Sequence, residues 1–457
     1  MGSVTGPMAK LVIPKPAVPF LVALGGAGGP MLALCLGQVH VAGMGWGGWA
    51  ALVATLLALV VGLGAVLASA ELVSAYPSGQ GSLAALQRAF SPRVAVFAVA
   101  AAVVALLATA AGALLAATEL VAPRAHLPSS VALAVLLALG VSIGLEGIGE
   151  VRREKLSGLL AAVLLVLGFL VVAGLLVTVW ESSRFVASFD PLPGVSPLRL
   201  AAVAAVALLG PLVFQEGASL LAPRTGRPAF VASRAAAAGG FLTLLFGTAA
   251  SVIRSGLPTA MSPSSHAALG LRLAITFGFI AVHALRIARL LLGRLVDKRW
   301  LGDSTARTLP LVVLPLPILL AHLDAGAAAR LGFAASGLAY LGFVSFVFGA
   351  LYRLRRLDDS VPRQFRLGPT IAGRPAFVPL ALVLALLLAV LIVVALPLGA
   401  ALAFGTLTVV FAACLSSTPS KSEAGDRAAE HYEMLKRAGE PELAQQYRAA
   451  LERGEQA

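Results

Sequence analysis

The chain has 457 residues, of which 59% are hydrophobic and 12% charged, with a mean hydropathy of +0.93 and a formal net charge of +13. Soluble domains carry about 25% charged residues, so this composition excludes a soluble fold and identifies a polytopic membrane protein. The positive charge fits loops that face anionic lipid and is no evidence for nucleic acid.

Apolar stretches long enough to cross roughly 30 Å of hydrocarbon fall near 17–40, 46–75, 93–121, 129–147, 157–180, 197–222, 229–254, 266–291, 308–325, 330–352, 375–395 and 397–415. They predict an all-α protein of about twelve transmembrane helices joined mostly by short loops. Lys10 and Lys15 precede the first run as in a signal peptide, but the many spans that follow make that run an uncleaved first helix. Gly6 stands where a myristoylation signal needs Ser or Thr, so no lipid anchor is indicated. With the amino terminus inside, the inward-facing cations include Arg88, Arg152, Arg286, Arg294, Lys298 and Arg355, whereas those facing out are Arg124, Arg184, Arg199, Arg254 and Arg330. This bias places both termini in the cytoplasm, in a cell (inner or plasma) membrane. A reporter fused after Arg294 is expected to be cytoplasmic and one in the Glu181–Ser196 loop external. Finding both on one side removes the helix count.

The first helix contains Leu24-Gly25-Gly26-Ala27-Gly28-Gly29-Pro30. Close helix packing through small residues is one reading, and a discontinuous helix is the other. The run lacks GxGxxG spacing and no strand precedes it, so it is not a phosphate cradle. Five helices further on, Gly210-Pro211 interrupts 197–222 just before Phe214, Gln215 and Glu216. A carboxylate at a helix centre costs about 2.5–3.5 kcal/mol on insertion scales, so Glu216 should face protein or water. Pro211 lacks an N–H and Gly210 lets the chain leave helical geometry. Backbone freed in this way is tolerated only where it is buried in protein or lines a cavity. Two Gly-Pro breaks five helices apart predict two five-helix repeats with a site between them at the midplane. A Pro-kinked helix with Glu216 at the headgroup level is the alternative.

The second helix ends Ser69-Ala70-Glu71-Leu72-Val73-Ser74-Ala75-Tyr76-Pro77-Ser78-Gly79-Gln80-Gly81 and runs on to Arg88-Ala89-Phe90-Ser91-Pro92. This AEL-x-SAYP-x-G-x-G pattern resembles the second-helix signature of the amino acid–polyamine–organocation (APC) transporters. Gly26-Ala27-Gly28 is similar to that family's first-helix Gly-Ser/Ala-Gly, Phe214 to Glu216 to its sixth-helix aromatic and acid, and Thr225-Gly226-Arg227-Pro228 to the loop after them. The sequence departs at Pro223-Arg224, where the family usually has two acids, and has no lysine in Leu159 to Val163, where some proton-coupled members carry one.

The resemblance implies a five-plus-five inverted repeat of the LeuT-like kind, with helices 1 and 6 discontinuous. Its parts are a cytoplasmic amino terminus at 1–16, a first repeat at 17–180, a second at 197–352, helices 11 and 12 within 375–415, and a cytoplasmic tail at 416–457. The implied activity is that of a permease that moves amino acids or related amines by alternating access, with H+ or Na+ as the possible coupling ion, and with no cofactor or metal. Amides at Gly25, Gly26, Ala27 and Gly28, at a half-helix positive end, would hold the substrate carboxylate. Carbonyls from Gly210 and Pro211 to Val213 would accept from its ammonium. Phe214 would close over the substrate beside Gln215. Glu216 would pair with the ammonium, take up a proton, or brace the two broken helices.

Among other polar residues, His283 is a possible proton carrier or a satisfied bundle histidine, and Thr276 a possible oxygen of a sodium site. Glu71 is expected to snorkel or pair with Arg88 near the inner end of helix two. His322 and Asp324 read as interfacial, and Cys35 and Cys414 as packing residues. After Ser416 the composition turns polar, and the tail reads as two short helices broken at Gly439-Glu440-Pro441. The loops are too short for a catalytic domain and the HExxH, GxGD and His-x4-Asp patterns are absent, so no enzyme is expected. A transport-inactive sensor of the same fold, or a sodium-coupled carrier of another small organic solute, remains the alternative.

Overall fold

In hydrocarbon a segment must satisfy its own backbone, which leaves a chain this rich in Ala, Leu and Val only the helix. The structure, a computed structural model, describes residues 49–76, 82–121, 134–141, 143–144, 166, 170, 181–187, 196–221, 228–255, 263–298, 300–320, 328–357, 366, 370–371, 374–415, 442 and 445. Its elements are α1 (Trp49–Ala75), α2 (Leu83–Ala89), α3 (Pro92–Val121), α4 (Ser182–Ala187), α5 (Pro197–Leu209), a 3₁₀ turn (Gly210–Phe214), α6 (Gln215–Leu221) and α7 (Pro228–Ser255). There follow α8 (Pro263–Asp297), α9 (Asp303–Val313), α10 (Pro315–Leu320), α11 (Ala328–Leu357), α12 (Phe377–Ala395) and α13 (Pro397–Leu415). A two-residue hairpin, Thr370–Ile371 against Arg374–Pro375, is the exception to the all-helical pattern among the described residues.

Among the described residues six segments are long and apolar enough to cross a bilayer: Leu52–Ala75, Pro92–Thr118, Pro197–Gly217, Leu331–Leu357, Phe377–Ala395 and Pro397–Leu415. The chain is an integral membrane protein. On α12 the side chains of Leu380, Val383, Leu386, Leu387 and Val390 are exposed, a face that suits lipid tails.

Helix packing divides the described chain into two groups. In one, α1 lies against α5 and α7, and α6 lies on α7; in the other, α3 lies against both α8 and α11, and α2 rests on α3 and α11. Small residues set the spacing inside each group. A Cβ on Gly62 would come within 2.8 Å of Leu244, and one on Gly332 within 2.7 Å of the Gly112 backbone. Between the groups runs a seam where α5 and the 3₁₀ turn meet α11.

Three expectations change. The span near 308–325 is two helices, α9 and α10, that meet at Leu314, because Pro315 brings no N–H to continue the ladder. The helix near 266–291 reaches from Pro263 to Asp297, and its polar end is supported by the Arg294–Asp297 ion pair at 3.0 Å. Arg355 and Arg286, read from the sequence as inward-facing cations, are buried within α11 and α8. Cys414 is buried, as a packing residue is.

Candidate functional site at the helix seam

The site grows from the 3₁₀ turn. Gly210 has φ −51° and ψ −46°, and its N–H donates to the Val206 carbonyl, so the chain does not leave helical geometry there as the Gly-Pro pair led us to expect. Winding tightens for one turn instead. This absorbs the missing N–H of Pro211 within five residues. The Gln215 N–H then donates to the carbonyls of Leu212 and Val213, which were expected to stand open for a substrate ammonium. Gly210 is needed for close approach: a Cβ would lie 3.1 Å from Ser336 Oγ on α11. Ser336 in turn shares a 2.7 Å hydrogen bond with Thr109 of α3, whose hydroxyl also donates to the Ala105 carbonyl.

With about three residues per turn, consecutive side chains at this point fan out in three directions. Phe214 stacks on His283 of α8, ring centroids 5.2 Å apart and planes 14° from parallel. Gln215 turns to α11 and α1, its Nε2 donating to Tyr340 Oη at 3.1 Å and to Ser69 Oγ at 3.4 Å. Its Oε1 has no hydrogen-bond partner among the described residues and passes Gly240 of α7, where a Cβ would lie 3.1 Å away. Glu216 receives the Ser82 N–H on Oε2 at 3.0 Å and the Ser82 hydroxyl on Oε1 at 2.7 Å. Phe214, Gln215 and Glu216 are all buried.

A second carboxylate crosses the same seam. Arg355 of α11 donates Nε to Glu71 Oε1 at 2.8 Å and Nη2 to Glu71 Oε2 at 2.6 Å. Both side chains are 0% exposed. The fork-on-fork geometry is the strong form of this pairing. Glu71 is buried against Arg355 rather than snorkelling to the helix end.

The structure thus brings Phe214, Gln215, Glu216 and His283 together, with Gly210, Pro211 and Val213 on the adjoining turn. Thr276 lies on α8. Gly25, Gly26, Ala27, Gly28, Cys35, His322, Asp324 and the expected tail helices, apart from residues 442 and 445, fall outside the described residues. Ser82, Tyr340, Ser336 and Arg355 are partners that the sequence reading did not single out. Ser336 and Tyr340 did leave a signal, being polar groups four apart on one helix face at mid-span. Among the described residues no group of three His, Cys, Asp or Glu is placed to hold a metal ion.

No protein-family model matches this chain, and no curated protein does. Solved structures do. The manganese transporter of Eremococcus coleocola, in complex with an aromatic bis-isothiourea substituted compound, is similar over 88% of this chain and 93% of that one, with a TM-score of 0.54 and 14% identity. Two mutants of the same transporter have TM-scores of 0.53 and 0.52 over the same shares. The fold is that of a membrane transporter.

Proposed function

We propose that this protein is a secondary transporter that carries amino acids or related amines across the cell membrane by alternating access, as a member of the APC superfamily. The observation that carries the reading is the seam itself: three consecutive residues, Phe214 at the end of the 3₁₀ turn and Gln215 and Glu216 at the start of α6, reach α8, α11 and the start of α2 in the opposite helix group. A tight turn at membrane depth that links two separately packed groups is the part expected to move in alternating access. The pattern of packing supports the five-plus-five repeat. The second helix of each proposed repeat, α1 and α7, lie against each other, as do the third of each, α3 and α8. The domain boundaries at 17–180, 197–352 and 375–415 belong to this proposal, as does the cytoplasmic placement of both termini.

The similar manganese transporter raises a divalent cation as a second reading. Side-chain chemistry at the turn favours an organic solute. The Glu216 carboxylate is engaged on both oxygens by Ser82, which leaves the Gln215 Oε1 as the one oxygen of these two side chains without a hydrogen-bond partner among the described residues, whereas a divalent ion wants several oxygens free to surround it. In this proposal substrate recognition is assigned to the glycine-rich run Gly25 to Gly28 together with the Phe214 ring.

The test is uptake into proteoliposomes by a panel of amino acids, amines and Mn2+, each with and without H+ and Na+ gradients. Saturable uptake of an amino acid or amine is expected, and Gly28→Leu is expected to abolish it while leaving the protein folded, since the added side chain fills the carboxylate's place. Uptake of Mn2+ alone would move the assignment to metal transport. Binding without uptake would make the protein a sensor.

A further inference from the structure

Two buried carboxylates cross the seam close to one connection, the stretch between α1 and α2. Upstream of it Glu71 holds Arg355, and at its downstream end Ser82 is held by Glu216. Each acid belongs to one helix group, Glu71 on α1 and Glu216 on α6. Each partner belongs to the other, Arg355 on α11 and Ser82 at the start of α2, which packs on α11 and α3. Phe90, just past α2, adds an edge-to-face contact with Phe346 of α11 at 6.1 Å. Any motion of one group against the other at this end must part both polar contacts.

We propose that the Glu71–Arg355 ion pair is a latch, closed in this structure, that separates when the seam opens at its Arg-rich end. The inference rests on the transport reading for the existence of a second state. The reason for an ion pair in this position is physical. Taking two ions out of water is costly, and apolar residues of similar volume commonly hold a fold as well or better. Leucines, however, can be parted only at the expense of exposing apolar surface, whereas two ions regain their hydration when water enters. Arg355 stands beside the exposed Arg353 and Arg356 near the end of α11, so water has a short way to travel. The pair is firm while dry and cheap to open once wetted. Ser82 and Glu216 then report the same opening to the turn that carries Phe214.

The test uses the full chain with Cys35 and Cys414 replaced by Ala and a single probe at Ala85→Cys, a buried position on α2. A membrane-impermeant maleimide is applied from each side of sealed vesicles without any substrate. The apolar double substitution Glu71→Leu with Arg355→Leu is expected to stay folded and to slow labelling by on the order of tenfold or more, because the leucines must expose apolar surface before the seam parts. The charge-swapped pair Glu71→Arg with Arg355→Glu is expected to label at the parental rate. Parental labelling rates in the folded apolar pair would overturn the latch. So would failure of the apolar pair to fold, which would assign the ions to stability, or a swapped pair as slow as the apolar one. Labelling that responds in this way in a protein that carries no solute would sink the transport reading and leave the seam latch standing.

Discussion

Gly332→Ala is expected to lower the melting temperature sharply. A Cβ at this position would lie 2.7 Å from both Cα and N of Gly112 and 2.8 Å from the Ala108 carbonyl oxygen. All three are backbone atoms of α3, so no side-chain rotation can make room. Carbon atoms rest at about 3.5–4.0 Å, and a gap of 0.5–1 Å forfeits a quarter to a half of each contact. The α3–α11 interface, which includes the Thr109–Ser336 hydrogen bond, would have to part by about that much. We expect a loss of about 3 kcal/mol or more, the upper part of the range for overpacking. Gly342→Ala, on the same helix, is the control: its Cβ meets nothing within 4 Å, and alanine's helix propensity favours it by up to about 1 kcal/mol. Unfolding scans in detergent compare the two. A Gly332→Ala protein as stable as the parent would mean that α3 and α11 do not pack as closely as described.

Glu216 is the second large effect. Both of its carboxylate oxygens are taken by Ser82, and its neighbours in the chain, Phe214 and Gln215, hold α8 and α11. Glu216→Ala leaves a buried N–H and a buried hydroxyl without their acceptor, at a cost of about 2–4 kcal/mol when each lost charge-assisted bond is counted with its desolvation. Because α6 is then untied from α2, exchange and gradient-driven uptake are expected to fall together. Glu216→Gln keeps one acceptor but turns an amide donor toward Ser82, so it should recover part of the stability and part of both activities in the same ratio. The geometry thus favours bracing over the proton-coupling and substrate-pairing roles. A Gln variant that exchanges at the parental rate in sealed vesicles but has lost uphill uptake would show that Glu216 carries the coupling proton instead.

Composition and local pattern are properties of neighbouring residues, and what depends on them alone was legible from the sequence. The membrane class followed from hydropathy. Helix α13 lies at Pro397–Leu415, where the apolar run was drawn, because a lipid-facing helix is defined by its own length. Phe214-Gln215-Glu216 stood out because polar groups are costly at bilayer depth. Only the tertiary structure decided their partners. Ser82 is 134 residues from Glu216 in sequence, Tyr340 is 125 from Gln215, and Arg355 is 284 from Glu71. At such separations no spacing rule applies, and an arginine at a helix end reads as a solvated cation until another helix is laid against it. The Gly210-Pro211 turn shows the same division. Local chemistry says that an N–H is missing and that the chain is free to unwind, whereas the close fit of Gly210 over Ser336 holds the backbone in a tightened helical turn. Packing chose among the conformations that Gly and Pro permit, and packing is not written at any one position.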